Sequence, residues 1–100
     1  MTAEAALGAT LERAAQALRA MAYDHRLHLL LLLQDGEQTP GALAAAVDLE
    51  PTLVAHHLRC LRDARLIRRR RRGRNVFYSL EGAATGQLVQ DVIRFARQLD

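Results

Sequence analysis

From Leu7 onward the apolar residues Leu7, Leu11, Ala14, Leu18 and Met21 recur at steps of four and three, which sets them in one stripe along a helix. Tyr23 and Asp24 interrupt the stripe, and Asp24 is placed to cap the next helix. Leu27 to Leu33 continue a helix that is apolar almost all round, the expected centre of the core, until Asp35 and Gly36 stop it. Thr39 before Pro40 pairs a capping residue with proline at the first helical position and opens a short alanine-rich helix over Gly41 to Ala46. Asp48 and Leu49 turn the chain. Pro51 starts the next helix, running to about Ala64. Val54, Leu58 and Leu61 form its buried side, while Thr52, Ala55, His56, Arg59 and Arg62 share the opposite side.

After Leu66 the pattern changes to two short β-type segments, Ile67 to Arg72 and Val76 to Leu80, joined by Gly73 and Arg74 as a hairpin. Gly82 breaks the chain again. Leu88, Val92, Phe95 and Leu99, with Val89, Ile93 and Ala96, then make a last helix with two adjacent apolar stripes. A chain of this size has room to bury one of them. The stripes of Leu7, Leu11 and Leu18 and of Leu88, Val92 and Phe95 are therefore expected to meet a second copy, giving a homodimer built from the first and last helices.

Composition narrows the fold class. One hundred residues make a single domain spanning 1–100, and 18 Ala and 18 Leu against 5 Val and 2 Ile exclude an all-β or parallel-sheet design. The leucine run Leu29 to Leu33 is too short to cross a bilayer, and the N-terminus lacks the pattern of a signal peptide, so a cytoplasmic protein without membrane contact is expected. Cys60 is the sole cysteine and cannot close an internal disulfide. Charge adds more. All 14 basic residues are arginine, and nine of them lie between Arg59 and Arg74 with Asp63 as the only acid there, a local net of +8 against −5 for the remainder. Such an edge calls for a polyanion, and the planar donor fork of arginine suits phosphates and guanine edges.

A short helix, a tight turn and a longer helix with a polar outer face, followed by a basic hairpin, are the parts of a winged helix-turn-helix in the order α-α-α-α-β-β-α. The fold class is mainly α with one small hairpin. Thr52, His56, Arg59 and Arg62 on the second helix of the pair are expected to face the major groove, and Arg70, Arg71, Arg72 and Arg74 to lie along the backbone or minor groove. An enzyme is not expected: there is no phosphate-cradling glycine loop, no HExxH, and no nucleophile with a recognisable base. A winged helix used as a protein-interaction module is the alternative, and the arginine wing argues against it because interface cores are depleted in charge.

The run over residues 18 to 82 resembles the ArsR/SmtB family of dimeric bacterial winged-helix repressors, most specifically in LVAHHLRCLRDARLI and RRGRNVFYSL. The resemblance implies a homodimer that binds double-stranded operator DNA, with the recognition helix at Pro51 to Ala64, as a repressor modulated by an effector. Such regulators are sorted by where they hold a divalent transition metal, and here the sequence departs from the pattern. The thiol positions before the helix-turn-helix are Thr39 and Gly41, and the terminal-helix positions are Gly82, Ala84, Phe95 and Gln98. None is a good ligand. A third pattern puts cysteines in the recognition helix, where Cys60 matches one and its companion is Ala64. His56, His57 and Cys60 remain as weak metal candidates, and His25 and His28 as weaker ones. His57 matches the family's histidine before leucine, a partly buried packing or hydrogen-bonding residue. With both usual metal sites absent, an effector protein or small ligand is the favoured input, and oxidation of Cys60 the thiol-based alternative.

Overall fold

Two of the helix starts are set by side chains that satisfy free N–H groups. Thr2 Oγ1 accepts from the Ala5 N–H at 3.1 Å and opens α1 (Ala3–Met21), a turn earlier than the stripe beginning at Leu7 implies. Thr39 does the same for α3 (Pro40–Val47), accepting from Ala42 N–H at 3.1 Å with Pro40 in the first turn. Asp24 differs from expectation. Tyr23 holds the cap position of α2 (Asp24–Leu32) in extended backbone, and the Asp24 carboxylate accepts instead from the adjacent His25 N–H at 2.8 Å. A 3-10 turn over Leu33–Asp35 follows, and Gly36 ends it at φ 133°, a conformation that favours glycine.

α3 and α4 (Pro51–Asp63) end alike. Asp48 (φ 55°) and Arg65 (φ 61°) take left-handed backbone, and the next residue bonds back over five positions, Leu49 N–H to the Ala44 carbonyl and Leu66 N–H to that of Leu61. β1 (Ile67–Arg72) then pairs antiparallel with β2 (Asn75–Leu80), and Gly73 supplies the positive φ of 59° at the first loop position. α5 (Ala83–Arg97) closes the described chain, which covers residues 2–99 of this computed structural model.

The core forms where these elements cross. Leu29, Leu30 and Leu33 meet Leu43 and Val47 of α3, Val54, Leu58 and Leu61 of α4, Ile67 of β1 and Val89 of α5. The leucine-rich second helix is thus the hub, and the three predicted buried residues of α4 are all at or below 1% exposure. Gly86 lets α5 approach the 3-10 turn, because a Cβ there would come within 3.1 Å of Gln34, whose side-chain amide donates to the Gly86 carbonyl at 3.1 Å. No helix among the described residues is long and apolar enough to cross a membrane.

One pairing was not visible in the sequence. Gln38, just before α3, exchanges two backbone hydrogen bonds with Tyr78 at 2.9 and 2.8 Å on the side of β2 away from β1. This single bridge fastens the two-stranded hairpin to the segment that leads into α3. One face, with Ile67, Tyr78 and Leu80, packs on the core, and the other carries Arg68, Arg70, Arg72 and Phe77.

Candidate nucleic-acid interface

Burying Val54, Leu58 and Leu61 turns the other side of α4 to solvent. Thr52, His56, Arg59 and Arg62 are all exposed there, together with Leu53 and Ala55. At the C-terminal end of the helix, Arg62 and Arg65 line one open cleft with Arg68 and Arg69 of β1 and with Glu81, so the end of α4 and the root of the hairpin share a surface. Arg65, Arg68 and Arg69 belong to this surface although they were not among the expected contacts. The signal for them was the charge run itself.

On the hairpin, Arg70, Arg71, Arg72 and Arg74 are exposed, but they are not equivalent. Arg70 and Arg72 both ion-pair with Glu37 from the turn before α3, and the Arg72 guanidinium also stacks 4.3 Å from the Phe77 ring centre. Arg71 Nε donates to the Gly73 carbonyl at 3.2 Å, bracing the tip.

The histidines and the thiol separate into two groups. His56 Nε2 lies 3.8 Å from Cys60 Sγ on the exposed side of α4. His57 turns the other way. Arg26, the one charged residue buried among the described residues, donates from Nε to His57 Nδ1 at 3.1 Å, reaches the Ala20 carbonyl at 3.4 Å and stacks over Tyr23 at 4.2 Å. Burial, then the Arg26 guanidinium, then His56 and His25 hold the His57 imidazole below its ordinary value of 6.5, with Asp24 pulling the other way. His57 is thus a hydrogen-bonding residue that ties α2 to α4. His25 is 6.0 Å from it, centre to centre, and exposed. Among the described residues no group of three or more His, Cys, Asp or Glu side chains could hold a metal ion.

The expected dimer residues fall into two classes. Leu7, Leu11, Leu18 and Phe95 are between 56% and 63% exposed, whereas Leu88 and Val92 are half-buried against the core of the same chain. The open apolar surface here is therefore Phe95 near the C-terminal end of α5, with Leu99 two residues past the helix rather than on it as the stripe implied.

The profile of bacterial regulatory proteins of the arsR family matches residues 24–69, from the start of α2 to the middle of β1. A transcriptional repressor SmtB homolog of Synechocystis is 36% identical over 89% of this chain and 67% of its own length. The regulator NmtR of Mycobacterium tuberculosis is 35% identical over 85% of this chain and 71% of its own. The chain belongs to the ArsR family. Its fold agrees: the homodimeric winged helix-turn-helix DNA-binding domain Mb0332 of Mycobacterium bovis superposes with a TM-score of 0.85 at 30% identity, covering 91% of this chain and 84% of that one. An ArsR-family chain is a transcriptional regulator and not an enzyme. The residues at the two metal sites that the resemblance implies do not fit a metal in this ArsR-family member. Thr39 is committed to capping α3 and Gly41 has no side chain; Gly82 caps α5, and Ala84, Phe95 and Gln98 give no carboxylate, imidazole or thiolate.

Proposed function

We propose that this chain is a dimeric, sequence-specific double-stranded-DNA-binding transcriptional regulator that acts as a repressor, with operator binding modulated by an effector protein or small ligand. The observation that carries the reading is the shared arginine surface. The polar face of α4 ends at Arg62, Arg65 follows just past the helix, and the same cleft continues into Arg68 and Arg69 of the hairpin. A helix in the major groove would thus have cationic side chains beside it where the phosphate backbone passes. Thr52, His56 and Arg59 serve as base readers, and Arg62, Arg70, Arg71, Arg72 and Arg74 as phosphate or minor-groove contacts. The apolar stripes of α1 and α5 supply self-association, and homodimerisation of the Mb0332 domain supports that use of them.

The test is binding to random and selected duplexes by fluorescence anisotropy across salt. Affinity falls steeply between about 50 and 200 mM salt, and replacing Arg72 and Arg74 with Ala flattens that dependence while preserving sequence preference. Replacing Thr52, His56 or Arg59 weakens discrimination by about 1 to 3 kcal/mol per lost base contact. Absence of duplex binding by the parent protein would overturn the reading in favour of a protein-interaction module.

A further inference from the structure

The turn that leads into α3 places one carboxylate among the wing arginines. Gly36 reverses the backbone, and Gln38 is then fixed by its two hydrogen bonds to Tyr78. Continuing that antiparallel register by one residue sets Glu37 opposite Ser79, on the hairpin face that carries Arg68, Arg70 and Arg72. Glu37 is the more buried partner in both of its ion pairs, with 29% side-chain exposure against 62% for Arg70 and 54% for Arg72. Arg70 Nη2 reaches both carboxylate oxygens, at 3.4 and 3.2 Å, and Arg72 reaches the same group while stacking on Phe77. A carboxylate gripped by two guanidinium groups imitates the phosphate that those guanidinium groups would otherwise meet.

We propose that Glu37 is an intramolecular competitor for the DNA backbone: it occupies Arg70 and Arg72 in the free protein, and duplex phosphate must displace it. This deepens the DNA-binding reading above and rests on it. Displacement leaves Glu37 without its cationic partners, so the exchange offsets part of the gain from each new phosphate contact. It also draws a counterion to Glu37 as the arginines expel counterions from the DNA, which makes the salt dependence shallower than the number of arginines implies. Glu37 thereby sets the sequence-independent part of the affinity and leaves α4 with a larger share of the discrimination.

The experiment compares the full chain with Glu37→Gln, in binding to a random-sequence duplex over a salt series. Glu37→Gln is expected to bind about three- to tenfold tighter, with a salt slope steeper by about one, because exposed ion pairs of this kind each carry a modest energy and a unit of charge. Asp35→Asn makes the same charge change in the same turn with no ion pair among the described residues to break, and leaves affinity near the parent value. In an Arg70→Ala, Arg72→Ala background, Glu37→Gln has no effect. Melting curves of all variants check that the fold is kept. If Glu37→Gln binds duplex no tighter than the parent, or Asp35→Asn tightens binding as much, the competitor role is wrong while DNA binding stands. If the parent binds no duplex, the DNA-binding reading and the competitor role fail together.

Discussion

Phe95→Asp isolates self-association from folding. Phe95 is 63% exposed on α5, so the single chain derives little stability from it and an exposed substitution there shifts folding by about 0.5 kcal/mol or less. In a dimer built on this face, that exposed part of the ring is covered. Burying a whole phenylalanine side chain is worth about 1.5 to 3 kcal/mol, so covering this fraction is worth about 1 to 2 kcal/mol per ring and about 2 to 4 for the two rings of a dimer. At about 1.4 kcal/mol per decade, the dimer dissociation constant rises by about 30- to 700-fold, before the added cost of two carboxylates facing apolar surface. Val92 is a poorer probe, because its half-burial against the chain's own core would mix unfolding with dissociation. Sedimentation velocity over a concentration series reads the constant, and DNA affinity falls with it because two half-sites one helical turn apart need both subunits. A parent protein that is monomeric at tens of micromolar, or a Phe95→Asp protein that dimerises as tightly as the parent, would refute the reasoning.

The histidines and the thiol give two further expected outcomes. His57→Leu leaves the buried Arg26 Nε without its acceptor and costs about 1 to 3 kcal/mol in urea denaturation; an unchanged midpoint would show that the bond is dispensable. Because His57 is held below 6.5 in the folded chain, the unfolded chain takes up the proton first. Its contribution is therefore complete above pH 6.5 and is lost as pH falls below that value toward the folded pKa, and this component of the pH profile is missing from His57→Leu. Cys60→Ser leaves DNA release unchanged when divalent metal or peroxide is added; a response present in the parent and lost in Cys60→Ser would place the sensor at the thiol instead.

Local chemistry was legible from sequence wherever the determinant lay within one turn. Thr39 with Pro40 marked the start of α3, the four-and-three spacing of Val54, Leu58 and Leu61 marked the buried side of α4, and Gly73 marked the hairpin loop. What escaped depended on partners far along the chain. The bridge between Gln38 and Tyr78 involves single residues with no periodicity to betray them, and the grip of Glu37 on Arg70 and Arg72 spans more than thirty positions. The division of the α5 stripe was hidden for a related reason. Hydrophobic spacing shows that Leu88, Val92 and Phe95 share a side, but which of them the chain covers itself depends on where α5 lies against α2 and β2. Asp24 carries a good capping side chain, yet Tyr23 takes the cap position because the chain enters α2 one residue earlier.

The hairpin's position at the border of the sheet gives its arginines a second consequence. β2 is paired on both sides, by β1 and by Gln38, whereas β1 has no described strand on its outer side and leaves that row of amides and carbonyls open. An open strand of this kind is a template onto which another chain can add and grow into aggregates. Five consecutive arginines over Arg68 to Arg72 deny it by mutual repulsion between copies. Stripping the wing of charge to abolish DNA binding would therefore also unmask a sticky border, and poor solubility would be mistaken for lost affinity. Exchanging wing arginines for glutamate removes the attraction to phosphate and keeps the border guarded.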